Sequence, residues 1–197
     1  MEREKPIYRP SIPGEPLRQG EILSDLIQAV IDLDSIDTDE KIINHITHAY
    51  AIIASQDCDL DWDYKARQGK TEAYKKIPNI LFCEVVTAEE LRGRADINSR
   101  TWRRIGINKD ERYHFFQKVE PAQDSLTSGL PELGVDFKRY FTIPTDEVYA
   151  RIEKGETKRR CCLISPYLEH FSTRFYYFQS RIALPEEHFS EPNVSQG

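Results

Sequence analysis

The sequence predicts an α+β protein: short strands in a mostly antiparallel sheet or small β-barrel, elaborated by helices. Three observations carry that expectation. Five or so short apolar runs, rich in β-favouring side chains, are separated mostly by loops rather than by regularly spaced helices, a pattern that favours antiparallel pairing over a doubly wound sheet. Helix start signals at Thr87 and Thr145 place helices as additions to the sheet. A chain of 197 residues, 39% hydrophobic and 30% charged, is long enough for one domain with a sizeable core.

Residues 1–17 carry Pro6, Pro10, Pro13 and Pro16, which remove backbone donors and break helices, so this stretch reads as an irregular arm. Gly20-Glu21-Ile22-Leu23 opens the ordered domain, expected over 18–184. Leu23, Leu26, Ile27, Val30 and Ile31 recur at helical spacing, but a run this short fits a strand equally well. Asp32 to Lys41 is acidic and reads as an exposed loop.

The stretch Asn44 to Asp63, NHITHAYAIIASQDCDLDWD, has the most chemical content. Its apolar middle, Ala49 to Ala54, reads as a buried strand. Beyond Ser55, Asp57, Asp59, Asp61 and Asp63 alternate with Cys58, Leu60 and Trp62. An extended backbone would set the four carboxylates on one side.

Ile80 to Val86 reads as a second buried strand. Thr87-Ala88-Glu89-Glu90 is a capping box that opens a helix ending near Gly93, and a second helix is expected from about Ser99, giving a helical insertion over 87–110. Arg112 to Val119 reads as a strand closed by Pro121, and Leu133 to Pro144 as another after a Ser-, Gly- and Pro-rich loop. A short helix from Thr145 stops by Gly155, and Arg159 to Ile164 is the last strand. Tyr167 to about Ser180 is a helix with Leu168, Phe171, Phe175 and Phe178 on one face. The polar tail, 185–197, is expected to fray.

The formal charge of −6 argues against a broad phosphate-binding surface. Two local basic clusters remain, Arg92 to Arg104 and Lys158-Arg159-Arg160. No apolar run approaches the roughly 20 residues that span a bilayer, and the opening residues are charged, so a cytoplasmic protein without membrane partners is expected. Cys58, Cys83, Cys161 and Cys162 show no CxxC spacing and are expected to be reduced.

Gly20-Glu21-Ile22, then His48 to Ser55, then Ile80 to Thr87 resembles the first half of the PemK/MazF toxin family, over roughly residues 18–90. The resemblance implies a small, strongly bent β-barrel and a place in a bacterial conflict system. The family's catalytic arginine falls at His48 or Ala49, and neither supplies a permanently charged bidentate clamp. Its hydroxyl position is kept as Thr87. The implied function is therefore a non-catalytic binding or regulatory subunit, in phage defence or plasmid maintenance, that contacts another protein of the same system or a nucleic acid. The alternative is a nuclease, either metal-dependent through Asp57 to Asp63 or a divergent toxin-like endoribonuclease.

Candidate catalytic residues are Asp57, Cys58, Asp59, His48 and Thr87. Cys58 follows a strand and has His45 and His48 nearby in sequence, although the surrounding carboxylates disfavour a thiolate. Asp57, Asp59 and Asp61 imitate the start of a calcium loop, but Trp62 and Gln68 stand where its glycine and bidentate glutamate belong. No cofactor is expected, a divalent cation at these carboxylates being the exception. Arg104, Asn108, Arg112, Tyr113 and His114 combine cations, an amide and aromatic rings, as a phosphate, a base or an acidic partner would need. Nucleic acid would then be met along Arg92 to Arg112.

Overall fold

Strands β1 (Tyr8–Pro10), β2 (Glu21–Ile31), β3 (Ile43–Ile53), β4 (Asn79–Thr87), β5 (Tyr113–Phe116), β6 (Leu133–Pro144) and β7 (Lys158–Leu163) form one sheet. Its order is β1-β7-β2-β3-β4-β6-β5, and every pairing is antiparallel. Helices α1 (Asp57–Gln68), α2 (Ala88–Arg92), α3 (Ser99–Gly106), α4 (Thr145–Glu153) and α5 (Tyr167–Gln179) complete the fold. The structure, a computed structural model, describes residues 6–37, 39–69 and 73–181; the tail expected at 185–197 lies outside the described residues.

The α+β class is as expected, but the sheet is open where a closed barrel was expected. Its edge strands are β1 and β5. Among the described residues a hydrogen bond from the Tyr8 hydroxyl to the Gln117 carbonyl, 2.8 Å, links the two edges in place of a ladder. One face of the sheet packs on α5. There Phe171, Phe175 and Phe178 meet Ile22, Ile52, Val85, Val135 and Phe137, together with Tyr8 and Phe116 from the two edges. The opposite face gathers Leu23, Leu26, Ile53, Phe82 and Ile143 under Leu60 of α1 and Val148 of α4. A third, smaller cluster joins α2 and α3 to Val86 and Tyr113.

The ambiguous run after Gly20 is β2, and its irregular spacing has a local cause. The ladder with β7 slips between Ile22 and Leu23, and Asp25, with φ 57°, drops out of the ladder with β3. The interruption lets Leu23 and Leu26 pack in the same core, mimicking a helical period. The proline-rich arm also contributes structure, since Tyr8–Pro10 pairs with Cys161–Leu163 as an edge strand, the position where proline costs a sheet least.

The main correction concerns Asp57 to Asp63, expected as an extended ribbon and found as the first two turns of α1. Asp57 and Asp59 lie in the first turn and Lys65 and Arg67 in the last, as the helix dipole favours. Asp61–Lys65 and Asp63–Arg67 are ion pairs at helical i,i+4 spacing, 2.5 Å and 2.6 Å. Leu60, Asp63 and Ala66 form the buried stripe. The two-residue alternation of the aspartates therefore does not report a strand.

Candidate functional site

The four carboxylates do not converge. Successive helical residues turn by about 100°, so Asp57 and Asp59 point to opposite sides of α1. Asp57 accepts from the Gln19 N–H at 3.0 Å and pairs with Arg18 at 2.6 Å. Asp63 is fully buried between Arg67 and the Ile77 N–H. Among the described residues, no three His, Cys, Asp or Glu side chains gather as a metal site requires. Cys58 is exposed, and its sulfur faces Gln56 and Asp59 at 3.7 Å and 3.8 Å.

His48 is buried and engaged. Its ring stacks on Phe141 with centroids 4.0 Å apart, and Nε2 meets Gln28 at 3.2 Å. Nδ1 lies 3.5 Å from a Glu84 carboxylate oxygen, without hydrogen-bond geometry. Contact with His48 and the guanidinium of Arg139, against the opposing effect of burial, hold the Glu84 carboxyl down to about 2. Thr87 is the N-cap of α2, its hydroxyl accepting from the Glu90 N–H at 3.1 Å. Thr145 starts α4 one residue inside the helix, with Pro144 at the cap position.

The constellation from Arg104 to His114 is split between two tasks. Arg112 grips the buried Asp136 with two hydrogen bonds, 2.8 Å and 2.5 Å, and Asp96 binds both Arg112 and the Tyr113 hydroxyl. Arg94 reaches the same Asp136. Arg104 donates to the Lys109 carbonyl, and the Asn108 amide pairs in both directions with the backbone of Phe115. These contacts tie the loop after α3 to β5 and consume most of the donors expected to meet a ligand. Arg100 and Arg103 remain exposed on α3. The second basic cluster is likewise internal, with Arg159 on Glu21 and Arg160 on Asp124.

His114 has the other task. Together with Asn108 it lines a cleft of about 260 Å³ where β1, β5 and the first turn of α5 meet. The walls combine Ile7, Ile107, Phe116 and Leu163 with Tyr8 and His170. His114 and His170 have ring centroids 5.4 Å apart. His114 is 4% exposed and its Nδ1 is buried with no hydrogen-bond partner. Burial first, then the charge of Arg174, push both imidazoles below their ordinary range, His114 most. Arg174 donates to the carbonyls of Asn108, Asp110 and Tyr113, while its Nε is buried and unpartnered.

Tyr8, His170 and Arg174 were not among the sequence candidates. A signal for two of them exists: Tyr167, His170 and Arg174 recur at spacings of three and four, a polar stripe beside the phenylalanine face of the last helix. Tyr8 had none, because its position follows from an edge pairing more than 150 residues away in sequence. Among the described residues no helix is long and apolar enough to cross a membrane. Comparison with protein families, curated proteins and solved structures returns no match.

Proposed function

We propose that the chain is a non-catalytic binding subunit that docks on a partner protein through the outer half of β2 and β3. The observation that carries this reading is an exposed apolar ribbon. Ile27–Ile31 pairs with Ile43–Thr47, whereas β7 reaches β2 only at Glu21–Ser24 and β4 reaches β3 only at Tyr50–Ile53. On this ribbon and its tip, Ile31, Leu33, Ile36, Ile42, Ile43 and Ile46 are all exposed, Leu33 by 76%. Isolated two-stranded ribbons are marginal in water, and clustered exposed aliphatics mark interaction sites. Asp32, Asp34, Asp37 and Asp39 surround the tip, so the complementary surface is apolar with a basic rim.

Placement in a bacterial conflict system is supported by the PemK/MazF resemblance of residues 18–90, with His48 or Ala49 where the family carries its arginine. A nuclease reading would draw support from converging carboxylates, and those of α1 diverge. The chain incubated with single-stranded RNA and DNA, with and without Mg²⁺, is expected to leave both intact. A tagged chain is expected to hold a stoichiometric partner that Ile43→Asp together with Ile46→Asp releases without changing thermal unfolding. Metal-dependent cleavage lost in Asp57→Ala or Asp59→Ala would transfer the assignment to the nuclease. A doubled mass lost in the ribbon variant would make the partner a second copy.

A further inference from the structure

We propose that the cleft between β1, β5 and the start of α5 binds a small planar monocarboxylate, its anionic end on the His114–His170 pair and its flat body against Phe116, Ile107 and Leu163. The first ground is an unmet hydrogen-bonding demand. Buried polar side chains are almost always paired, yet His114 lines this cleft with its Nδ1 buried and unpartnered. Its imidazole is shaped by packing alone, against Phe116, Phe137, Phe171 and His170. A ligand acceptor would supply what the chain does not.

The second ground is charge. The charge of Arg174 acts on both imidazoles, and its guanidinium is bound only to backbone carbonyls, with no carboxylate within ion-pair distance among the described residues. The nearest acid that acts on it is Asp110, which only partly offsets its burial. Tyr8 from β1 and Tyr167 from α5 are the other titratable side chains at the cleft wall, and the Tyr8 hydroxyl is given to Gln117. One cation without an ion-pair partner matches one negative charge. A dianionic phosphate would arrive with a second charge and nothing to meet it.

The third ground is size and surface. At about 260 Å³ the cleft lies below the roughly 300–1,000 Å³ of drug-sized sites. Its rings and aliphatic side chains suit a single flat apolar body, and Ile107 at its mouth is 59% exposed. This site is separate from the ribbon, so ribbon variants should bind the same ligand unchanged.

The test uses the whole chain, with benzoate as probe and its neutral isostere benzamide and inorganic phosphate as comparators, followed by calorimetry and histidine ring NMR. Benzoate is expected to bind saturably and to shift the His114 and His170 resonances, with benzamide and phosphate weaker by about tenfold or more, the loss of a charge-assisted contact. Two exposed positions avoid damage to the fold. His170→Ala should weaken benzoate about fivefold or more, and Ile107→Glu should weaken it while Ile107→Lys strengthens it. Benzamide or phosphate binding as tightly as benzoate would overturn the proposal, as would unchanged affinity in both His170→Ala and Ile107→Glu.

Discussion

Asp124 has no exposed side-chain surface, yet it is held as a carboxylate by the residues around it. Arg160 donates to both its oxygens, at 2.9 Å and 2.7 Å, and the N–H groups of Leu126, Ser128 and Gly129 add three more bonds. Burial alone would raise its pKa; the hydrogen bonds and charge of Arg160, with the Leu126 N–H and Ser128, outweigh burial and hold it down to about 2. Because the folded value lies below the unfolded one, the stability this group confers is complete above the ordinary carboxylate range. It is lost as pH falls from there toward about 2. Asp124→Asn strips Arg160 of its buried partner and is expected to cost on the order of 3–5 kcal/mol in urea unfolding at pH 7. The same variant should show a shallower acid limb, with the Glu84 contribution left in place. A variant as stable as the parent at pH 7 would show that this pair is not a keystone of the loop.

Gly129 closes that loop at a position where a side chain would run into the backbone. Its φ is +72°, and a Cβ there would sit 2.6 Å from the Val119 carbonyl oxygen, a backbone atom that cannot swing away. Gly129→Ala is expected to cost about 1–3 kcal/mol, read as a lowered Tm. Gly14, also at positive φ but with no atom within 4 Å, should lose less on the same change.

At the scale of elements, legibility followed how local the governing interaction is. The cap at Thr87 was readable because hydroxyl and amide are three residues apart, and the Phe171–Phe175–Phe178 face because helical packing repeats every three or four residues. Thr87→Ala should cost about 1 kcal/mol, and Thr87→Ser should restore most of it, as a cap requires and a catalytic threonine need not. In α1 the alternating aspartates suggest a strand, but the Asp61–Lys65 and Asp63–Arg67 spacing, equally visible in the sequence, is the one that governs. The constellation Arg104 to His114 was legible as polar chemistry, but not its division between the Asp136 clamp and the cleft. That division depends on Asp136 and on α5, both distant in sequence from most of the residues they engage.

For the whole molecule, the sheet is the shared wall of two cores, one closed by α5 and the other by α1 and α4. Neither core is complete without β3 and β4, so both are expected to melt in a single transition. The barrel expected from short, loop-linked strands failed on a non-local fact: the aromatic face of α5 packs between edge residues Tyr8 and Phe116, which meet in the core without pairing as strands. The outer ribbon stands apart from this arrangement. Among the described residues the backbone of Ile27–Ile31 pairs only with Ile43–Thr47, with no third strand over it, while β4 is paired on both sides by β3 and β6. Opening the ribbon breaks one two-stranded ladder and exposes little that is not exposed already, so its free energy should be far below the global value. Amide exchange is therefore expected to be fast at 28–31 and 43–47 and limited by global unfolding at Phe82, Cys83 and Val85. A docked partner should slow the ribbon amides selectively, since it would supply the missing cover. Equal protection of ribbon and central strands in the free chain would mean that the ribbon is packed into the body, and the docking surface would have to be sought elsewhere.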